Sequence, residues 1–223
     1  MPTVMRTRIK ICGMTRPQDV ESACRLDVDA VGFVCYERSP RYVPAERLPA
    51  LAAELPPFVT PVLLFVNAAS GAVESALGAV PHALLQFHGD ESEADCGSFG
   101  RAYVRALAIG DGVDLLDWER RYSSACALLA DAPSAAFGGS GHRFDWGKLP
   151  PLQRRSLPLI VAGGLNASNV GSAIRAAAPY GVDVSSGVEQ ERGIKSEALM
   201  REFVAAVRAA DSAAMDAGTD QHQ

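Results

Sequence analysis

Short runs of apolar residues recur along the chain and alternate with longer stretches that mix apolar and polar positions. Several of these runs are apolar at every position, which is typical of parallel strands buried on both faces. The pattern therefore predicts eight buried strands, at residues 9–12, 30–35, 60–66, 83–87, 102–107, 125–130, 157–162 and 182–184.

The stretches between these runs carry helix signals. Thr15 followed by Pro17 predicts the start of the first helix, with Thr15 as its N-cap and Pro17 in the first turn. The sixth connection is less regular, since residues 138–148 suggest a long loop and 148–155 at most a short helix. Further helices are predicted at residues 45–54, 70–77, 91–98, 113–121, 166–177 and 196–210.

Strand and helix alternate with a repeat of roughly 25 residues, which predicts an α/β protein with a parallel sheet. Eight such units favour a closed (β/α)8 TIM barrel in a single domain. An open doubly wound sheet is the structural alternative, but no GxGxxG motif follows the first strand. We expect residues 1–210 to form the barrel and residues 211–223, which are small and polar, to form a disordered C-terminal tail.

Charge and cysteine usage narrow the class of protein. The net charge of −5 argues against nucleic acid or a membrane surface as a partner, because both favour a basic face. We expect no signal peptide, because no apolar segment follows the basic residues of the first ten positions, and no transmembrane helix, because no run of about 18 apolar residues occurs. The five cysteines form no CxxC pair, and neither they nor the four histidines have zinc-ligand spacing. We therefore expect a cytoplasmic protein with no bound metal.

In a TIM barrel the active site lies at the carboxyl ends of the strands, so four polar side chains there become candidates. Cys12 could accept a proton from carbon, or could be a buried structural cysteine. Asp131 could donate a proton, or could cap a turn. Arg41 could bind a carboxylate in a bidentate manner or be a solvated charge, and His88 could face the pocket or satisfy loop backbone.

Glycine and serine cluster after the seventh and eighth predicted strands. In TIM barrels these two loops often hold a phosphate group, because glycines let backbone N–H groups approach it and serine hydroxyls add donors. A Gly-rich stretch after the sixth strand is suited to a lid. The predicted phosphate-binding residues are Gly163, Gly164, Ser185, Ser186 and Gly187, with Gly139 and Ser140 from the Gly-rich stretch. These residues predict an enzyme that acts on a small, anionic, phosphorylated substrate.

A set of motifs resembles one known family over about residues 8–207. In order they are KICG at 10–13, GFV at 32–34, SPRYV at 39–43, FVN at 65–67, QFHG at 86–89, GGSG at 138–141, FDW at 144–146, AGGLN at 162–166 and VDVSSGVE at 182–189. The set resembles phosphoribosylanthranilate isomerase, an enzyme of tryptophan biosynthesis. The resemblance implies an Amadori rearrangement of N-(5'-phosphoribosyl)anthranilate that needs no cofactor.

The resemblance also implies a role for each matching residue. Cys12 corresponds to the general base, Asp131 to the general acid and Arg41 to the ligand of the anthranilate carboxylate. The sequence departs from the family pattern at Pro133, where a lysine is usual, which puts the local charge near Asp131 in doubt. The resemblance leaves open whether the protein is a monomer or a homodimer.

Two alternatives remain: a related sugar-phosphate enzyme with the same phosphate-binding barrel, and a non-catalytic barrel that binds a phosphorylated ligand. An indole-glycerol-phosphate synthase would need a longer N-terminus, and a histidine-pathway aldose isomerase typically has Asp where Cys12 stands. A non-catalytic barrel would keep the phosphate loops and lose the acid or the base, whereas this chain has both Cys12 and Asp131.

Overall fold

Eight parallel strands close into a barrel in which β1 pairs with both β2 and β8. This computed structural model describes residues 6–110, 112–133 and 144–219. The predicted (β/α)8 TIM barrel is therefore confirmed. The barrel strands are β1 (Arg8–Cys12), β2 (Ala30–Val34), β3 (Thr60–Phe65), β4 (Leu84–Phe87), β5 (Tyr103–Ala108), β6 (Ala127–Asp131), β7 (Leu159–Val161) and β8 (Gly181–Val184).

In the part of the chain that the structure describes, seven α-helices lie outside the barrel. After β8 the chain also forms a small antiparallel hairpin, β9 (Glu189–Glu191) and β10 (Ile194–Lys195). Short 3-10 helices occupy Ala45–Arg47, Trp146–Lys148, Leu152–Arg154 and Ser186–Val188. The α-helices are α1 (Pro17–Arg25), α2 (Leu48–Ala52), α3 (Ser70–Ala79), α4 (Glu93–Gly97), α5 (Leu115–Arg121), α6 (Val170–Ala177) and α7 (Glu197–Thr219).

Two of the helix starts that differ from the sequence prediction have a side-chain hydrogen bond as their cause. Arg16, and not Thr15, is the N-cap of α1, because the Thr15 hydroxyl donates to the carbonyl of Gly193 at 2.5 Å. Helix α6 begins at Val170 instead of Asn166, since the Asn169 side chain accepts the N–H of Asn166 at 2.9 Å and closes a turn before the helix. In both places a side-chain hydrogen bond to the backbone competes with helix formation.

The sixth connection has the irregular structure that its sequence predicts. Its described part, residues 132–133 and 144–158, contains two short 3-10 helices and no α-helix. At the C-terminus, α7 continues past Ala210 to Thr219, into the segment that the sequence analysis expected to be disordered. Alanines at positions 213 and 214 favour helix there, and Asp211 is buried.

The alternation of side chains along each strand produces two packing regions. Ile9 and Ile11 of β1 face outward and are fully buried in the main hydrophobic cluster, which includes residues of α1 and α7. The alternate positions fill the barrel interior, where Val104, Ala106 and Leu129 form a separate cluster. A polar side chain at an inward position near the carboxyl end of a strand therefore points into the barrel mouth.

Among the helices of the described residues, none combines the length and the apolar character that a membrane-spanning segment needs.

Candidate active site

Three strands direct chemically reactive side chains into the barrel mouth. Cys12 ends β1 and packs against interior residues of β2 and β3. Asp131 ends β6 on the same inward face as Leu129. His88 follows β4 directly, in register with the inward Gln86. The structure thus brings together three residues that the sequence analysis singled out separately.

The Cys12 thiol occupies a tight position beside β2. Cys12 is only 5% exposed. A Cβ atom added at Gly32 would lie 2.6 Å from the Cys12 Sγ. Burial raises the pKa of the Cys12 thiol, while the positive charge and hydrogen bond of Lys10 act in the opposite direction. Lys10, together with the charge of Lys195, therefore favours the thiolate against the effect of burial.

Lys10 is itself held by a buried carboxylate. Its Nζ lies 2.8 Å from Oδ2 of Asp183 on β8, and both side chains are less than a tenth exposed. Burial lowers the pKa of Lys10, but the charges of Asp183 and Cys12 outweigh it and raise the pKa overall. Lys10 is therefore protonated beside the thiol. Asp183 Oδ1 is buried and has no hydrogen-bond partner in the described part of the chain.

Asp131 is 7% exposed, and each of its oxygens has a neighbour. Oδ1 accepts the backbone N–H of Ala132 at 2.8 Å, and Oδ2 lies 3.2 Å from His88 Nε2. A Cβ atom at Gly163 would lie 2.5 Å from the Ala132 nitrogen and 3.0 Å from Asp131 Oδ1. The loop after β7 can therefore pack directly on Asp131 only because residue 163 is glycine.

The contact between His88 and Gln86 determines which tautomer of His88 faces Asp131. Gln86 Nε2 lies 3.3 Å from His88 Nδ1, and Gln86 Oε1 is buried without a partner among the described residues. With the proton on His88 Nε2, the ring donates to an ionised Asp131. Because the amide NH2 of Gln86 can only donate, His88 Nδ1 accepts in this contact and Nε2 carries the proton that faces Asp131. The opposite tautomer would require the Gln86 amide to turn over so that Oε1 accepts from Nδ1.

Arg41 lies over the loop that follows β1. A side chain at Gly13 would overlap Arg41 Cδ, and Gly13 has a φ of +81°. The guanidinium makes two hydrogen bonds to one carboxylate, from Nε to Glu189 Oε1 at 2.7 Å and from Nη2 to Oε2 at 2.6 Å. The bidentate contact that the sequence analysis expected for a ligand carboxylate is thus made, within the protein, by Glu189.

The loops after β7 and β8 are in direct contact. A Cβ atom at Gly187 would overlap the carbonyl oxygen of Leu165, so glycine is required for this approach. Gly163 and Gly164 have φ values of +81° and +61°, which favour glycine. Ser185 and Ser186 lie at the start of the short 3-10 helix Ser186–Val188. Two further predicted phosphate ligands, Gly139 and Ser140, lie outside the described residues.

The sequence analysis gave no role to several charged or polar residues around these groups. They are Lys10, Gln86, Asp183, Glu189 and Lys195. For the first three a signal existed, since each stands at an inward position of a strand that is otherwise apolar. The last two belong to the β9–β10 hairpin, whose strands are too short to show an alternating pattern in the sequence.

Within residues 6–110, 112–133 and 144–219, no group of three or more His, Cys, Asp or Glu side chains could hold a metal ion.

Comparison with known proteins gives consistent matches over nearly the whole chain. Residues 9–206 match the family described as N-(5'phosphoribosyl)anthranilate (PRA) isomerase. A relative from Leptothrix cholodnii, named N-(5'-phosphoribosyl)anthranilate isomerase, is 50% identical over 214 residues, covering 96% of each chain.

Solved structures of the same family are also similar. The phosphoribosyl anthranilate isomerase of Thermotoga maritima is 34% identical, with a TM-score of 0.82 over 91% of this chain and 99% of that one. A second structure holds phosphoribosyl anthranilate isomerase in complex with reduced 1-(o-carboxyphenylamino)-1-deoxyribulose 5-phosphate. It is 31% identical, with a TM-score of 0.77 and the same coverage.

Proposed function

Because the chain belongs to the phosphoribosylanthranilate isomerase family, we propose that Cys12 is the general base and Asp131 the general acid of its reaction. The protein isomerises N-(5'-phosphoribosyl)anthranilate to 1-(2-carboxyphenylamino)-1-deoxyribulose 5-phosphate in tryptophan biosynthesis. One observation carries the assignment of roles. A thiol beside a buried lysine and a carboxyl group beside a histidine project into the same barrel mouth.

The first chemical step opens the ribose ring. Protonated Asp131 transfers its proton to the ring oxygen, the bond from that oxygen to C1 breaks, and the nitrogen lone pair forms a C=N bond to C1. The product is an open-chain iminium ion, and Asp131 becomes a carboxylate. His88 Nε2 lies 3.2 Å from Asp131 Oδ2 and can donate a hydrogen bond to that carboxylate, which supports this direction of proton flow.

The second step removes a proton from C2. The Cys12 thiolate accepts this proton, and the electron pair of the C–H bond forms a C1=C2 double bond as the iminium nitrogen becomes neutral. The resulting enolamine tautomerises to the ketone. Since the iminium ion accepts the electron pair, the substrate supplies its own electron sink. The lysine charge beside Cys12 favours the thiolate that this step requires.

The reaction is an internal redox change, in which C2 is oxidised from an alcohol to a ketone and C1 is reduced from an aldehyde level to an amine level. The enzyme is therefore an intramolecular oxidoreductase of the aldose–ketose isomerase type. No second substrate is consumed, because the hydrogen lost at C2 is balanced by the hydrogen gained at C1.

Substrate binding is assigned to groups at both ends of the ligand. The phosphate is bound by Gly163, Gly164, Ser185, Ser186 and Gly187, with Gly139 and Ser140. The contact of the two loops through Gly187 and Leu165 supports this assignment, since it brings both sets of backbone N–H groups to one place. Arg41 binds the anthranilate carboxylate. We further propose that the protein acts in the cytoplasm as a monomer or homodimer and binds no nucleic acid.

Replacing the proposed base and acid tests their roles directly. Cys12→Ala and Asp131→Asn should each lower kcat by about 10²- to 10⁴-fold, the usual contribution of a positioned acid or base. The measurement follows the loss of fluorescence of freshly prepared N-(5'-phosphoribosyl)anthranilate. Binding of the reduced product analogue should be retained, since neither residue is assigned to the phosphate or the carboxylate.

Matched substitutions outside the barrel mouth serve as controls. Cys24→Ala in α1 removes a thiol and Asp117→Asn in α5 removes a carboxylate, and both should leave kcat unchanged. Near-normal turnover in Cys12→Ala or Asp131→Asn would disprove the corresponding role. If the unaltered protein bound the analogue but lacked turnover, the non-catalytic alternative would replace the proposal.

A further inference from the structure

Arg41 and Glu189 form a two-point contact that is nearly shielded from solvent. The Arg41 side chain is 12% exposed and the Glu189 side chain 5% exposed. Both hydrogen bonds use one edge of the guanidinium, formed by Nε and Nη2. Because a guanidinium group has a planar, rigid set of donors, fixing the Nε/Nη2 edge also fixes the direction of the adjacent Nη1/Nη2 edge.

Lys195 fixes Glu189 from the other side. Its Nζ lies 2.9 Å from Glu189 Oε1 and donates to the backbone oxygen of Ser185 at 3.1 Å. The Lys195 side chain is fully shielded from solvent. Its backbone N–H donates to Asp19 Oδ2 at 3.1 Å, which anchors β10 on α1. Glu189 is therefore attached to an element that is itself held against the barrel.

The charges of this cluster favour an anionic ligand. Burial raises the pKa of Glu189, but the hydrogen bond from Arg41 and the charge of Lys195 outweigh it, so the pKa is lowered overall and the carboxylate is ionised. With Arg41 and Lys195 both protonated, two cations face this one anion; burial lowers the pKa of Lys195, and the charge of Glu189 opposes that effect. The second edge of Arg41, formed by Nη1 and Nη2, has no hydrogen bond from Nη1 to any described residue.

Arg41 also lies close to the reacting centre. Its charge interacts with Cys12, and Lys195 interacts with Cys12 in the same way. A ligand carboxylate on the second edge of Arg41 would therefore be positioned relative to the thiol. Any rotation of the guanidinium would move that carboxylate and, with it, the carbon atom from which the proton is removed.

We propose that Glu189, held by Lys195, is a positioning residue that orients Arg41 so that its Nη1/Nη2 edge receives the carboxylate of the substrate. The inference rests on the proposed role of Arg41. Glu189 would hold Arg41 in its binding orientation before the ligand arrives. The β9–β10 hairpin, which carries Glu189 and Lys195, would thereby have a function in substrate recognition.

A pair of ligands that differ only in the carboxylate tests the inference. The first is the reduced product analogue, and the second is the same compound made from aniline in place of anthranilate. In Glu189→Gln the first ligand should bind about tenfold more weakly, because the amide NH2 group opposes an Arg41 donor. The second should bind within about twofold of its affinity for the unaltered protein. In turnover, KM should rise about tenfold while kcat changes much less.

Three further variants separate the possible outcomes. Glu191→Gln changes an exposed glutamate on the same hairpin and should behave as the unaltered protein. Glu189→Asp keeps the charge but is one methylene too short to reach Arg41, so it should show the same selective loss. Arg41→Gln should abolish the preference for the ligand that carries the carboxylate.

The inference is wrong if Glu189→Gln weakens both ligands equally, which would indicate a purely structural role. It is also wrong if that variant binds the carboxylate ligand with unchanged or higher affinity. Glu189 would then have no effect on carboxylate binding, or would compete with the ligand carboxylate for Arg41. In these cases a selective loss in Arg41→Gln would leave the proposed function intact. If Arg41→Gln showed no selectivity either, the proposed role of Arg41 itself would fail.

Discussion

Lys10 has the strongest influence on Cys12 among the single residues around the thiol. A thiol that is only 5% exposed resists ionisation, and the lysine charge is the largest effect that opposes this burial. Lys10 and Cys12 are two positions apart on β1, so the strand geometry alone places both on the inner face. The KICG motif therefore contains both the base and the cation that opposes the burial-induced rise in its pKa.

Lys10→Met should shift the activity to higher pH. The cation stabilises the thiolate and lowers the thiol pKa, so its loss raises that pKa, and the rising limb of the kcat/KM profile moves to more alkaline values. The thiolate can also be titrated by its ultraviolet absorbance, with Lys10→Met/Cys12→Ala as the blank. An exposed cation on α7 gives the control, Arg201→Met. An unshifted profile in Lys10→Met would contradict this account of the thiol.

The sequence predicted some residue positions better than it predicted their partners. Cys12 and Asp131 could be located because each ends a recognisable strand, and the fold places strand ends at the site. The bidentate partner of Arg41 was not predicted, since Glu189 is 148 positions away and is brought near by barrel closure. Hydrogen-bond partners at such separations depend on three-dimensional packing that local patterns do not encode.

At the scale of elements, the strand bounds predicted from the sequence agree with the structure more closely than the predicted helix bounds do. Parallel strands must be apolar on both faces, which leaves an unambiguous run of residues in the sequence. Helix ends are set by local competition instead, as at Thr15, whose hydroxyl binds Gly193, and at Asn166, which forms a turn with Asn169. The β9–β10 hairpin is too short to show a periodic pattern.

The contact between the loops after β7 and β8 can be tested with one methyl group. In Gly187→Ala the new Cβ would overlap the carbonyl of Leu165, so the two loops must separate. KM should rise roughly tenfold or more, because the phosphate ligands are displaced from one another. Gly71→Ala, in α3, has no atom within 4 Å of the added Cβ and should leave KM unchanged. An unchanged KM in Gly187→Ala would argue against a phosphate site between these loops.

At the scale of the whole molecule, the first strand and the last helix are joined opposite the barrel mouth. Asp211 of α7 accepts the backbone N–H of Thr7 at 3.1 Å and its hydroxyl at 2.6 Å, and this contact is buried. Arg208 adds a bond from Nη1 to the Thr7 carbonyl at 3.0 Å. Since Thr7 precedes β1, the contact lies at the amino end of the strands and serves stability rather than chemistry.

Asp211→Ala should lower the free energy of unfolding by about 3 kcal/mol, because it removes two buried hydrogen bonds and leaves the Thr7 N–H without a partner. Denaturant unfolding measures this change. Activity per folded molecule should stay the same, since the barrel mouth is at the other end. Asp117→Ala removes an exposed ion pair and should change stability by less than about 0.5 kcal/mol. Equal stabilities of the two variants would contradict the role of Asp211.

The close fit of Cys12 beside Gly32 has a consequence for covalent inhibitors. Burial raises the pKa of Cys35 and Cys96 to about 12, and it also raises that of Cys12, so no thiol here is marked out by reactivity alone. An electrophile would have to gain its selectivity from placement. A small reactive group carried between a phosphate and an aryl carboxylate would be delivered to Cys12 by the same anchors that hold the substrate, whereas a bulky reagent would be hindered because Cys12 is only 5% exposed.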